Sequence, residues 1–440
     1  MSDDVVAHLR QSARHCRAFL HAHAALIQLV GVVICILPLI FPTHVETWII
    51  YGALGGLALI LCVGYFLAGR FIVRTPVDFS VLLLLLLLPI TLLVTYDRAL
   101  TSQHVYKIIG SVALFYGVVG VLDEEAWFGL SALAICVLGT ALASLVLLGT
   151  QWSTAKVPWF PLDLYQLLPR RIHAFWNPRG FNSNIAGGTL AMLLPVPIAY
   201  MLFGRGPVVR LGALLEVGIV GFVLLLTQSR GAMIALAAGV AIMLVARNRR
   251  WLVVIVLAVA LCALVLQLGG VDGLLFSASD ASVENAVHSL EGRVELWSRG
   301  WMMLQDFPFT GIGLGTVVRV MPVLYPTFVV PPGIEHMHNL YLEAGVDLGF
   351  PGLIAVLAFV LGLLHLSWSA ARRAIGTGLE PLALGMLGVL VVFAVHGVSD
   401  NLTFYARGHF IAWALFGVAV GVGTRVVCGG EYPAVETPSA

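Results

Sequence analysis

Two histidines separated by one residue, His336 and His338, are the side chains in this sequence best suited to moving a proton. A histidine exchanges a proton near neutral pH and acts as a general base where its imidazole reaches a hydroxyl group. The same pair could ligate a metal ion, but no third ligand follows at a spacing typical of zinc sites. The pattern therefore favours general-base chemistry, with an ordinary interfacial histidine at a helix start as the alternative.

A single arginine, Arg230, lies in the short polar turn 227–232 between two strongly apolar runs. Charge so close to the apolar core of a membrane is costly, and an arginine there marks a functional site by default. Gly231 opens the following run, so an anion near Arg230 would also meet the backbone donors of a helix N-terminus. The turn predicts an anion-binding arginine; the alternative is a guanidinium that only reaches the membrane surface.

The longest hydrophilic stretch, residues 269–338, contains an apolar stripe with helical spacing. Ser282 is a suitable N-cap and Pro308 a stop, so the stripe predicts an amphipathic helix lying against the bilayer or the membrane domain. Arg293 is at the edge of this stripe, at the depth of phosphate headgroups, and Arg299 follows it. The stripe consists of Val283, Val287, Leu290, Val294, Trp297, Trp301 and Leu304.

A second outward stretch, residues 150–183, is rich in tryptophan and proline. Tryptophan at a membrane boundary anchors to the headgroup region. Arg171 and Arg179 add positive charge to this stretch. Asn182 and Asn184 come just before or at the start of the next apolar run, where either is a good N-cap.

Three further polar or glycine-rich features remain. The segment 311–315 resembles a phosphate loop only superficially, because no strand precedes it, and we expect a flexible turn. Glu216 is expected near the inner end of its helix, paired with a headgroup or with Arg210. Asp400 and Arg407 bracket the last outward turn, where they pair with each other or with a ligand.

The chain that carries these residues has 440 amino acids, of which 60% are hydrophobic and 11% charged, and its mean hydropathy is +0.97. This composition excludes a soluble globular enzyme and a disordered protein. The net charge of +1 excludes a nucleic-acid binder that relies on net basicity. Apolar runs of about 20 residues predict membrane-spanning α-helices. The twelve runs are roughly 24–42, 47–68, 78–96, 105–121, 127–149, 184–203, 211–227, 231–246, 251–268, 345–368, 381–398 and 408–424.

The distribution of arginines predicts the orientation of these runs. Short arginine-containing loops such as 247–250 fall on one side, which the positive-inside rule assigns to the cytoplasm together with both termini. The first run is expected to be a retained helix and not a cleaved signal peptide. All but two of the 24 basic residues are arginine, and about half fall on the outward side. Because arginine binds phosphate with two parallel hydrogen bonds, this excess predicts an anionic substrate there.

Four motifs occur in a fixed order: SRGA at 229–232, GRVELW at 292–297, DFPFTGIGLG at 306–315 and HMHNLYLEAGVDLG at 336–349. Together they resemble the O-antigen ligase/polymerase family of membrane glycosyltransferases, over a signature region of about residues 215–365. The resemblance implies an all-α polytopic membrane protein of about 12 transmembrane helices. It also implies one large helical periplasmic loop and a C-type membrane glycosyltransferase architecture.

The resemblance also implies roles for individual residues. Arg230 and Arg293 would bind the diphosphate of the donor, with Arg299 as the alternative to Arg293. His338 would be the base that activates the acceptor hydroxyl. The reaction would be inverting, with neither a metal ion nor a cofactor. The remaining candidates for substrate binding are Arg171, Arg179, Asn182, Asn184, Arg299, His336, Asn339 and Asp400.

The implied reaction is transfer of O-antigen from undecaprenyl diphosphate to lipid A–core, at the periplasmic face of a bacterial inner membrane. An O-antigen polymerase and an O-linked protein oligosaccharyltransferase stay open as alternatives in the same family. A secondary transporter is a distant alternative, because the polar groups lie at the outer edge of the membrane and not at its midplane. The expected domains are 1–268 with helices 1–9, the periplasmic loop 269–338 with its amphipathic helices, 339–425 with helices 10–12, and a cytoplasmic tail 426–440.

Overall fold

The computed structural model describes residues 23–40, 42, 44–68, 72–122, 126–150, 152, 163–166, 168, 181–267, 290–325, 336–402 and 409–429, and the regular structure within these ranges is entirely helical. Several residues of the sequence predictions lie outside the described residues. They are Arg171, Arg179, Ser282, Val283, Val287 and Arg407.

The helices are bounded by turns, prolines and glycines at nearly the positions that the apolar runs predict. Besides a single turn at Asp163–Gln166, the described helices are α1 (Ala24–Ile40), α2 (Thr47–Ala68), α3 (Asp78–Val94), α4 (Arg98–Val121), α5 (Ala126–Gly149), α6 (Ser183–Leu193), α7 (Pro195–Phe203), α8 (Pro207–Thr227), α9 (Arg230–Arg247), α10 (Arg250–Gln267), α11 (Leu290–Asp306), α12 (Val317–Leu324), α13 (Leu340–Arg373), α14 (Glu380–His396) and α15 (His409–Cys428).

Eight helical segments in the described ranges are long and apolar enough to cross a membrane, judged by length and composition. Three shorter apolar helices, α1, α3 and α14, accompany them. Each of the twelve predicted runs falls on a helix or, for the sixth run, on the pair α6 and α7. The chain is therefore an all-helical membrane protein, while the exact count of twelve spans stays a prediction. The eight segments are Thr47–Gly64, Arg98–Val121, Trp127–Gly149, Ser183–Phe203, Pro207–Thr227, Arg230–Arg247, Leu340–Arg373 and His409–Cys428.

Helix α14 lies at the centre of the packing and contacts α6, α7, α9, α13 and α15. Its residues from Glu380 to Phe393 are all buried, as expected for a helix that is apolar on every side. Small residues let its neighbours approach closely: a Cβ added to Gly239 of α9 would meet the carbonyl oxygen of Gly388 at 2.8 Å. This tight packing fixes the ends of α9 and α14, and both ends contribute to the site described below.

The buried face of α11 differs from the predicted stripe. Val294 and Trp301 of that stripe are 55% and 50% exposed, whereas Leu296 and Met303 are fully buried. The helix packs on α13 with the face that contains Gly300, where a missing side chain allows close approach. Leu304 of the predicted stripe is also buried, so α11 has a packed apolar face and a second, exposed one that contains Val294 and Trp301. That the exposed face lies against the bilayer stays a prediction.

The glycine-rich segment 311–315 is buried and tightly bonded, so the prediction of a flexible turn was wrong. All three of its glycines have positive φ, between 61° and 99°. The amide of Ile312 donates to the carbonyl of Val346 at 3.0 Å, and that of Leu314 donates to Thr91 Oγ1 at 2.8 Å. Glycine is required here because the backbone adopts left-handed conformations within contact distance of α13.

Glu216 also differs from its prediction. It lies in the middle of α8, where it is buried and hydrogen-bonded to Thr140 of α5. Arg210, its predicted partner, donates instead to the carbonyl of Gly204 at 2.8 Å. A buried carboxyl group needs a hydrogen-bond partner, and the neighbouring helix supplies it.

Candidate functional site

Residues 336–339, which we call the histidine arch, lead directly into α13. Asn339 is the N-cap, and its side chain accepts hydrogen bonds from the amides of Tyr341 and Leu342 at 3.0 Å each. The amide of Leu340 donates to the carbonyl of Gly397 at 2.7 Å, so the arch is bonded to the end of α14. His338 itself has a φ of +49°, a left-handed conformation that is uncommon outside glycine and often found at functional sites.

Met337 anchors the arch from the opposite side. Its side chain is fully buried in a small apolar cluster with Leu296 and Met303. Its backbone amide donates to Glu343, and its carbonyl accepts a hydrogen bond of 2.9 Å from the indole of Trp297. With Met337 held in this way, the two flanking histidines point together to the other side of the arch.

Both histidines face the carboxylate of Asp400, which follows α14. Asp400 Oδ1 lies 3.4 Å from His338 Nδ1 and 3.6 Å from His336 Nε2. All three side chains are buried. Burial by itself would raise the pKa of Asp400, but the contact with His338 and the charges of the surrounding imidazoles hold it well below its usual range. Asp400 is therefore an ionised carboxylate that orients the two imidazole rings.

These three residues could also ligate a metal ion, since one ligand atom from each lies within 4.8 Å of the others. Asp400 supplies a third potential ligand that the spacing along the sequence did not reveal, because it is distant in the chain but adjacent in space. However, His336 Nδ1 accepts a hydrogen bond of 3.1 Å from the amide of His338, so the proton of the neutral ring is on Nε2. Histidines that ligate a metal normally donate from their second nitrogen. The hydrogen bonding therefore fits a carboxylate–histidine cluster better than a metal site.

His336 is neutral at physiological pH. Burial lowers its pKa to about 4; the carboxylate of Asp400 opposes this effect, and the charges of His338 and Arg293 add to it. A neutral His336 therefore adds no positive charge beside His338. The electrostatic environment of the arch thus comes from one carboxylate and from the arginines beside it.

Arg230 and Arg293 bring two positive charges to this cluster. Arg230 is the first residue of α9, in a helix N-terminus where Ser229 forms no side-chain cap, and it is exposed. Arg293 is half-buried in α11. Burial lowers its pKa, Asp400 opposes this effect, and Arg230 adds to it. Within the described residues no acceptor binds the buried Nε of Arg293. Two neighbouring cations beside a helix N-terminus are an arrangement that can bind an anion.

An apolar groove of about 800 Å³ begins one helical turn below Arg230, between α8, α9 and α10. Met233, Ala237 and Leu244 line it on the face of α9 that continues from Arg230. Gly221 of α8 also lines it, and a Cβ added there would meet no atom within 4 Å. The groove and the arginine together match the shape and charge of a lipid with an anionic headgroup.

Residues 215–357 match the family model described as O-antigen ligase. We call this matched region, residues 215–357, the ligase domain. The resemblance predicted from the motifs is thereby confirmed, and the matched region agrees with the predicted signature region 215–365. Members of this family are glycosyltransferase-like ligases and polymerases. No curated protein matches the chain.

The ligase domain contains both arginines and the whole arch, but Asp400 lies beyond its end. Of the two arginines that the sequence left open, Arg293 interacts with Arg230 and Asp400, whereas Arg299 pairs with Glu295 at 3.5 Å on the surface of α11. These interactions favour Arg293 over Arg299 as the second arginine of the cluster.

The asparagines at the start of α6 have a capping role in the structure. Asn182 is the N-cap, and its side chain accepts from the amide of Asn184 at 2.9 Å and from that of Ile185 at 3.4 Å. Asn339 caps α13 in the same way. These contacts account for Asn182 and Asn339 without a ligand.

Sequence reasoning missed Tyr165, which packs beneath the arginine turn of the ligase domain. Its hydroxyl donates to the carbonyl of Leu226 at 2.7 Å and accepts from the side chain of Gln228. Gln228 has a φ of +50° and lies two residues before Arg230. Tyr165 therefore supports the turn that presents Arg230, although only the tryptophans, prolines, arginines and asparagines of the stretch 150–183 were noted in the sequence.

Sequence reasoning also missed His396, in the last turn of α14. It is buried directly beneath the site, where a Cβ added to Gly188 would meet its Nε2 at 2.2 Å. Asp400 and Arg293 both act on it electrostatically. The signal was present in the sequence, because a histidine four residues before a carboxylate at a helix end faces the same side of that helix.

Proposed function

We propose that this protein is an O-antigen ligase that transfers O-antigen polysaccharide from undecaprenyl diphosphate to lipid A–core. The observation that carries the proposal is the convergence of Arg230, Arg293, His338 and Asp400 at one end of the helices, inside or next to the ligase domain. The apolar groove below Arg230 supports a donor with a lipid tail.

The chemistry follows from the position of each group. With Nδ1 facing Asp400, His338 takes the proton of the acceptor hydroxyl on Nε2. The acceptor oxygen attacks the anomeric carbon of the donor sugar, forming a new glycosidic bond. The bond between that carbon and the diphosphate oxygen breaks, and undecaprenyl diphosphate leaves. A direct displacement of this kind inverts the anomeric configuration.

The arginines stabilise the leaving group. Negative charge accumulates on the diphosphate as the bond breaks, and fixed cations directed at developing charge are usually the largest contribution to catalysis. Arg230 and Arg293 supply these cations, so we propose a reaction that needs neither a metal ion nor a cofactor. Asp400 stabilises the protonated form of His338 that arises during the step.

The proposed location follows from the orientation of the helices. We place the protein in the inner membrane with both termini in the cytoplasm and the arch at the periplasmic face. Residues 269–338 then form the periplasmic loop that carries α11 and α12. In this orientation the arch faces a donor and an acceptor that are both anchored in the outer leaflet.

The test uses the purified protein with lipid-linked O-antigen, lipid A–core and EDTA, and it measures both transfer and donor binding. His338→Ala should lower the transfer rate by about 10²–10⁴-fold while donor binding is retained. Arg230→Ala should weaken donor binding as well as transfer. His365→Ala, on the exposed side of α13, is the matched control and should leave both unchanged.

Three outcomes would contradict parts of this proposal. Longer glycans formed from the donor alone, without product on lipid A–core, would identify a polymerase. Glycosylated serine or threonine of an added protein would identify an oligosaccharyltransferase. Loss of transfer in EDTA that added metal restores would contradict the metal-free mechanism.

A further inference from the structure

The indole of Trp297 connects two parts of the site that the proposed mechanism treats separately. Trp297 lies on α11 one turn after Arg293, on the same side of that helix. Its Nε1 donates to the carbonyl of Met337 at 2.9 Å, within the histidine arch. Helix α11 therefore carries Arg293, the proposed ligand of the diphosphate, and also holds the backbone next to His338.

The contact between α11 and the arch is close and specific. A Cβ added to Gly300 would meet the terminal methyl carbon of Met337 at 2.1 Å, so a larger residue there would require the Met337 side chain to shift. Met337 is fully buried. Its carbonyl would lose its indole donor if α11 moved away or if the donor were removed, and a buried carbonyl without a partner is unfavourable.

The conformation of His338 depends on these bonds. A left-handed backbone at a non-glycine residue costs free energy and persists only where the surroundings enforce it. The amide of Met337 is bound by Glu343, its carbonyl by Trp297, and the amide of His338 by His336 Nδ1. The peptide unit between Met337 and His338 is thereby fixed at both of its polar atoms.

We propose that Trp297 is a positioning residue whose hydrogen bond to Met337 sets the left-handed backbone of His338, so that the helix that binds the donor diphosphate also directs the general base. This inference rests on the proposed transfer reaction. It predicts that Trp297 acts on turnover through His338 and contributes little to donor affinity.

The experiment is a double-mutant cycle on the full-length protein, read as single-turnover transfer from a radiolabelled lipid-linked donor. Trp297→Phe should lower the rate of transfer by about tenfold in the wild-type background, with the donor KM nearly unchanged. It should cause no further loss in the His338→Ala background, because the residue it positions is gone. Trp301→Phe, one turn further along α11 and half-exposed, is the matched control and should have no effect.

A second variant separates the hydrogen bond from packing. Benzothienylalanine at position 297 keeps the shape of the indole but replaces its N–H by sulfur, and it should reproduce the loss seen with Trp297→Phe. Unchanged transfer with this isostere, equal losses in both backgrounds, or a loss confined to donor binding would overturn the inference. A wild-type protein without any transfer would overturn the proposed function, whereas active wild type with a neutral Trp297→Phe overturns the positioning role alone.

Discussion

At the scale of single residues, the carboxylate of Asp400 organises the site. It is buried with one nitrogen of each imidazole within 3.6 Å. Because Nδ1 of His338 faces Asp400, the proposed mechanism assigns proton uptake to its Nε2. The neighbouring His336 is kept neutral by burial, which lowers its pKa to about 4. The two histidines of one short motif thus differ in environment, since only His338 has the left-handed backbone.

The low pKa of His336 predicts a specific pH dependence of stability. In the unfolded chain His336 takes up a proton near its ordinary pKa of about 6.5, but in the folded protein only near about 4. The unfolded state therefore binds more protons in this interval, and stability falls as pH falls from about 6.5 towards 4. Thermal unfolding in one detergent at pH 7 and at pH 4.5 should show a smaller decrease for His336→Asn than for wild type.

The comparison isolates His336 from the carboxylate beside it. Because the pKa of Asp400 is depressed, its carboxylate stays ionised at pH values below the ordinary pKa of an aspartate. Its stabilising contribution is therefore lost only at those lower pH values. Equal decreases for wild type and His336→Asn would mean that another group dominates the acid sensitivity.

At the scale of elements, the pair α8 and α9 combines a charge and a groove. The turn between them ends α8 with the left-handed Gln228 and begins α9 with Arg230. Tyr165 holds this turn from outside. Below it, small residues on both helices leave the apolar groove open. We expect the lipid tail of the donor to lie in this groove while its diphosphate binds Arg230.

Filling the groove should weaken donor binding. Gly221→Leu adds a side chain into space that is open in the structure, and it should raise the KM for the lipid-linked donor by about three- to tenfold, since each lost methylene contact is worth about 0.8 kcal/mol. Gly212→Leu is the matched control, because Gly212 lies on the same helix, is equally open and does not line the groove.

We would measure the steady-state donor KM and the thermal stability of both leucine variants to test whether the lipid tail lies in this groove. If both variants have the same donor KM, the lipid tail does not occupy this groove. A loss of stability in Gly221→Leu alone would instead show that the groove is closed in solution.

At the scale of the whole molecule, the arginines of α9 lie at opposite ends of that helix. The arch, Asp400 and Arg230 lie at one end, and the ion pair between Arg247 and Glu380, 2.6 Å long, joins α9 and α14 at the other. A reaction between two lipid-anchored substrates needs its catalytic groups on the membrane face where both substrates are presented. The proposed orientation puts the arch at the periplasmic face and Cys428 on the cytoplasmic side.

Cysteine labelling tests this orientation. Two proteins with a single cysteine each are compared, one with the natural Cys428 and one with Val398→Cys, which is exposed beside Asp400. A membrane-impermeant maleimide added to intact spheroplasts should label position 398 and leave position 428 unlabelled until the cells are lysed. Labelling of Cys428 in intact spheroplasts, with position 398 protected, would reverse the topology and contradict the periplasmic site.

The sequence by itself determined the features that depend on residues close together in the chain. Apolar runs predicted helices, because a backbone in lipid must satisfy its own hydrogen bonds. Arg230 and His338 were found because a polar residue at the edge of an apolar run is costly and therefore informative. The order of the motifs indicated the ligase family, which the match over residues 215–357 confirmed.

The tertiary structure decided everything that depends on residues far apart in the chain. It paired Asp400 with the histidines, selected Arg293 over Arg299, and brought Tyr165 and Trp297 to the backbone of the site. It also buried Leu296 and Met303 of α11, left Val294 and Trp301 exposed, and buried the glycine turn. The sequence of a helix determines which of its faces are apolar enough to be buried. Helix packing determines which of these faces is buried, because the free energy of burial depends on the surface that each face contacts.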